Sequence, residues 1–124
     1  MRKKNYKGGK CIKKTVSKAE GVCRVYDDLQ LLALDELEVD KTIVEIQCNV
    51  VLKGSEWDAY TTDFLCKTVA GDLVVYECCY RKLLLRPRMM ELLDGSRNYW
   101  LKRGVEWRLI NFISLFLFIC MSIC

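Results

Sequence analysis

From Tyr26 onward the apolar positions recur at helical spacing. Tyr26, Leu29, Leu32, Ala33 and Leu37 give one apolar face. Asp27 stands where a helix cap belongs, and Gln30 at the third helical position makes a capping-box-like pair with it. The segment "EVDK" closes that helix. Three β-like runs follow, Thr42–Leu52, Ala59–Thr68 and Leu73–Tyr80, separated by the turn segments "KGSE" and "VAGD". Turns this short predict an antiparallel meander. Pro87 sits where a first-turn proline belongs and Gly104 where a stop belongs. Between them Met90, Leu93, Arg97, Trp100 and Leu101 mark the packing face of a second helix. Val105–Ile110 reads as a fourth strand, so the predicted order is α-β-β-β-α-β.

Two end segments lie outside this pattern. Met1 to Lys18 has no hydrophobic period and is expected to be a mobile basic arm. Residues 111–124 form a tail, of which "FISLFLFICMSIC" is continuously apolar. Three readings compete for it: an extended buried strand, a membrane anchor, or an aberrant end to the reading frame. A membrane helix needs about 20 apolar residues, and Asn111, Arg108 and Glu106 cut this run short, so membrane attachment is not the expectation. The domain expected between these ends spans residues 19–110.

Charge changes the picture along the chain. The net charge is only +4, yet the first 18 residues hold eight Lys/Arg and no acid. Residues 19–79 hold thirteen acids and four bases, and residues 80–108 return to eight bases and three acids. A basic arm and a basic C-terminal third suit a polyanion partner such as DNA, because phosphate contacts drive non-specific affinity. The competing reading is a solvated tail and ordinary surface charge.

Histidine is absent. That excludes Ser-His-Asp and Cys-His nucleophiles and His-ligated zinc. The eight cysteines include no C-x-x-C pair, and the N-terminal run "MRKKNYKGGKCIKK" has no apolar signal segment. Reduced thiols and a cytoplasmic location are therefore expected.

The stretch "VVYECCYRK" (Val74–Lys82) places a glutamate inside an apolar strand and ends it on cations. By alternation Leu73, Val75, Glu77, Cys79 and Arg81 share one face. Asp63 lies one tight hairpin away, on a neighbouring strand about 4.8 Å distant. Two such carboxylates can hold one hard divalent ion, Mg2+ or Mn2+, beside a basic rim that takes a phosphate backbone. Arg81, Lys82, Arg86 and Arg88 are the candidate DNA contacts. The alternative leaves Asp63 near the surface and Glu77 pointing outward.

The element order, with an acid on the second strand and Glu77 on the third, resembles the PD-(D/E)xK nuclease fold. More specifically, "YTTDFLCK…GDLVVYEC…LLRPRMMELLDGSRNYWLKRGVEW" resembles the N-terminal domain of the TnsA endonuclease family, over about Val22–Trp107. Tyr60–Phe64 looks like the family's "TPDF" segment, with Thr62 where proline is usual. Arg97–Trp107 looks like its helix with a Tyr-Trp pair followed by Gly-Val and a tryptophan. The resemblance implies a restriction-endonuclease-like αβββαβ core, α/β in class, with a central mixed sheet flanked by helices. It also implies metal-dependent hydrolysis of DNA at the ends of a mobile element. The implied partners are a DDE transposase subunit and a second copy of the chain.

Asp63 and Glu77 fit the family's acid positions as metal ligands. The helix-one acid position falls on Gln30 and the lysine position on Cys79, neither of which brings charge. A thiol is mainly neutral at pH 7 and cannot copy an ammonium. Arg81 or Lys82 can restore a cation, although a guanidinium cannot act as a base. The alternative implied by these departures is a catalytically degenerate relative that binds DNA or a transposase-like partner without cutting.

Overall fold

A computed structural model describes residues 11–53 and 60–113. The chain forms β1 (Ile12–Thr15), β2 (Val22–Val25), α1 (Asp28–Val39), β3 (Ile43–Val51), β4 (Thr61–Thr68) and β5 (Leu73–Cys78). A 3-10 turn (Arg81–Leu83), α2 (Pro87–Lys102) and β6 (Glu106–Ile110) complete it. The main sheet runs β3-β4-β5-β6. Its first three strands are an antiparallel meander, and β6 joins β5 in parallel. A parallel neighbour demands a crossover connection, and α2 supplies it. The protein is thus α/β, with a mixed four-stranded sheet and two helices.

Alternation along the strands sorts the core into two layers. Ile46, Phe64, Cys66, Val74, Tyr76 and Cys78 pack with Leu29, Ala33, Leu34 and Leu37 of α1. Leu65 and Val75, between them in sequence, pack with Leu92 and Trp100 of α2. One helix therefore covers each face, and the central strands β4 and β5 are buried on both sides.

Three differences from the expected pattern have physical causes. The basic arm is not featureless up to Lys18, because β1 pairs antiparallel with β2 from Ile12↔Val25 to Thr15↔Val22. Two adjacent lysines break the apolar alternation and hid this strand, and Val16 alone of residues 11–20 is buried. On α1 the buried stripe is Leu29, Gln30, Ala33, Leu34 and Leu37, whereas Leu32 stays 43% exposed. The stripe follows the i, i+4 rows, 29–33–37 and 30–34, and admits a polar residue that periodicity alone discards. On α2 the buried set is Met89, Leu92, Leu93, Ser96 and Trp100, one position off the expected Met90, Arg97 and Leu101. Ser96 is the reason, for it turns inward to bond a carboxylate.

The strands end earlier than expected, at Val51 and Cys78. The "KGSE" turn from residue 54, the arm before residue 11 and the tail beyond residue 113 lie outside the described residues. Among the described residues no helix is long and apolar enough to cross a membrane.

α2 stops as its sequence demands. Gly104 takes a φ of 73° and donates its N–H to Leu101 O at 3.1 Å. A Cβ added there meets nothing within 4 Å, so its cost is purely conformational. Gly104→Ala is expected to lower stability by about 1 kcal/mol, read as a shift of the urea midpoint at unchanged slope.

Candidate active site

The start of α1 fixes the first residue of the site. Asp27 Oδ1 accepts the Gln30 N–H at 2.8 Å, the cap expected from the sequence. Gln30 Oε1 in turn accepts the backbone N–H of Tyr26 at 2.7 Å, one residue before the usual capping-box partner. A backbone N–H can only donate, so Oε1 must face it and Nε2 must face the other way. That Nε2 donates to Asp63 Oδ1 at 3.1 Å.

Asp63 and Glu77 sit where β4 and β5 part. The last β4–β5 ladder pair on this side is Phe64↔Tyr76. Beyond it the strands are joined by side chains instead of a backbone ladder. Asp63 N–H donates to Glu77 Oε1 at 3.2 Å, and Cys78 N–H donates to Asp63 Oδ2 at 2.8 Å. Each carboxylate therefore satisfies a main-chain donor of the opposite strand. On the other side of β4, Asn49 lies between the pairs Cys48↔Phe64 and Val50↔Thr62, with a φ of 57°. Asparagine tolerates that left-handed backbone better than most residues.

Two hydroxyls, each backed by an indole, hold Glu77. Its Oε2 accepts bonds from Thr62 Oγ1 at 3.1 Å and Ser96 Oγ at 2.5 Å. Trp100 Nε1 donates to Thr62 Oγ1 at 2.7 Å, and Trp107 Nε1 donates to Ser96 Oγ at 3.2 Å. Each hydroxyl accepts from an indole and donates to the carboxylate. An indole N–H has no acceptor capacity, so these two chains can run in one direction only. Both acids are deeply buried, Asp63 2% and Glu77 0% exposed. The reading in which they faced solvent does not hold.

The structure thus brings Gln30, Asp63 and Glu77 into one buried network, from three separate elements. Cys79 lies outside it. It packs with Met89 and Leu93, and its Sγ bonds Tyr80 O at 3.5 Å. Arg81 does not continue the face of Glu77, because β5 ends at Cys78 and Arg81 and Lys82 belong to the exposed 3-10 turn. Lys82 Nζ stands 5.9 Å from the Tyr80 ring centre. Arg86 and Arg88, at the start of α2, are exposed as well. Four cations therefore line the connection that leaves the carboxylate network. Sequence reasoning missed Thr62 and Ser96 as participants, and it took Trp100 for a packing residue alone.

The donor set tests the expected ion. All four oxygens of the two carboxylates accept hydrogen bonds, from Gln30, Cys78, Asp63, Thr62 and Ser96. Asp63 leans on α1 and Glu77 on α2, the helices of opposite layers. An ion shared between them has to displace amide and hydroxyl donors that already offset the buried charge. In this arrangement the residues do not fit Mg2+ or Mn2+. No protein-family model matches the chain, and none of the curated proteins does.

Proposed function

We propose that this chain is a TnsA-like protein of the restriction-endonuclease fold that binds DNA, at the ends of a mobile element, without cutting it. One observation carries the reading: Gln30 meets Asp63 with an amide N–H, where the family's pattern has a second acid. Two acids in contact need a cation or a shared proton between them, whereas an amide and an acid satisfy each other. Cys79, in the lysine's place, is committed to packing with Met89 and Leu93. On this reading the chemistry of cleavage lacks the two charges that the family's pattern has at these positions.

The DNA-facing part of the proposal rests on Arg81, Lys82, Arg86 and Arg88. All four are exposed along one connection, and the described residues include no acid paired with them. Such groups bind the phosphate backbone and carry no sequence information by themselves. Filter binding to duplex DNA is the test. Each phosphate contact contributes a salt slope of about −0.9, so four give a slope of roughly −3.6, and Arg86→Ala with Arg88→Ala together remove about half of it. Retention that ignores salt, or none at all, refutes the DNA reading.

A second reading, the metal-dependent endonuclease, is favoured by the convergence of Gln30, Asp63 and Glu77 on one place. Its signature is plasmid nicking in Mg2+ or Mn2+ that disappears in Asp63→Ala. Wild-type protein that leaves the plasmid closed in both metals excludes it.

A further inference from the structure

The β1–β2 hairpin rests on β3 without joining its ladder. Two hydrogen bonds hold it there, Ile46 N–H to Lys18 O at 3.0 Å and Asn49 Nδ2 to Arg24 O at 3.0 Å. Between these two ties the thiols of Cys23, on β2, and Cys48, on β3, lie with their sulfurs 2.7 Å apart. A disulfide bond is about 2.05 Å long, so the sulfurs need only a small further approach. Beside them opens a cavity of about 510 Å³ lined by Ser17, Lys18, Glu45, Cys23 and Cys48, among others. Cys23 is buried, while Cys48 is half-buried and faces the cavity.

We propose that Cys23 and Cys48 are a redox pair, converted to a reversible disulfide by small-molecule disulfides of the glutathione class that enter through this cavity. The Cys48 thiolate attacks one sulfur of the oxidised glutathione, breaking its S–S bond and releasing one glutathione thiolate. Cys23 then gives up its proton and attacks the Cys48 sulfur, forming the Cys23–Cys48 bond and expelling the second glutathione. Two electrons pass from the cysteines to the oxidant, and the two protons end on the glutathione thiols.

The other described cysteines lack this arrangement: Cys11 is half-buried and lines a pocket that no second cysteine shares. Cys66 is fully buried, and burial pushes its thiol up to about 12. Cys78 and Cys79 are buried in opposite layers, against α1 and α2. The crosslink fastens the hairpin to the sheet just ahead of α1, the helix whose Gln30 holds Asp63. This proposal does not depend on whether the chain binds or cuts DNA.

The test uses the full chain in glutathione buffers of increasing oxidised fraction, followed by alkylation and peptide mapping without reduction. The expected result is a Cys23–Cys48 linked peptide that rises with the oxidised fraction and vanishes on reduction. In Cys23→Ala, glutathione is expected to remain attached to Cys48. Three results overturn the proposal: both cysteines alkylated at the oxidised end, either one linked to another cysteine, or wild-type Cys48 keeping glutathione while Cys23 is alkylated. Wild-type mapping alone decides the matter if the variant does not fold.

Discussion

Gln30→Glu lowers the stability of the metal-free protein by about 3 kcal/mol at neutral pH, the usual scale for an uncompensated buried charge. Gln30 Nε2 is the donor that reaches Asp63 Oδ1. A carboxylate in its place can still accept the Tyr26 N–H but cannot donate to Asp63. The variant thus holds two acids side by side, in a site with 1–2% exposure. A divalent cation is the natural remedy. Saturation at a hundred times the dissociation constant returns ~2.7 kcal/mol. Urea unfolding with and without Mg2+ measures both effects. The discriminating comparison is with the wild type, whose midpoint should not move with Mg2+. A wild-type midpoint that rises as much as the variant's defeats the proposal of a silent site.

Glu77→Ala costs still more, about 4 kcal/mol, because it strands several donors at once. The Asp63 N–H and the Thr62 and Ser96 hydroxyls all lose their acceptor. Each unsatisfied buried donor costs about 1–3 kcal/mol, and relaxation or an entering water recovers part of the sum. Equilibrium denaturation gives the number directly. The sign is informative in its own right. Residues of working active sites are often stabilising to remove, since their strain serves activity. A stabilised Glu77→Ala variant contradicts a structural role for this carboxylate and points back to the endonuclease.

The second prediction turns on a feature of the tryptophans. In the sequence Trp100 looks like a core residue, and by area it is, while Trp107 is half-buried. Their indole N–H groups nevertheless reach Thr62 and Ser96, and through them a single carboxylate. A buried acid on a central strand is costly unless it is fully bonded. The helix–glycine–strand segment that closes the fold is what brings those bonds to it. Packing and polar satisfaction are here provided by the same two side chains.

The order of elements from α1 to β6 was legible in the chain itself. Short turns between β-branched runs dictate a meander, and Pro87 and Gly104 bracket a helix whose exit leads to a parallel strand. Asp27 as the cap of α1 was equally legible, because capping is local. Which residues face inward was not. Leu32 against Leu34, and Met90 against Met89, differ by a fraction of a turn that only the opposing sheet selects. The strands Ile12–Thr15 and Val22–Val25 were hidden because a two-stranded hairpin draws its stability from contacts with the rest of the fold. The sequence also placed Gln30, Asp63 and Glu77 as a constellation, but the direction of each polar group is a tertiary matter. Whether an amide turns its oxygen or its nitrogen to a carboxylate depends on which donors surround it, and those come from α1, β4, β5 and α2 together.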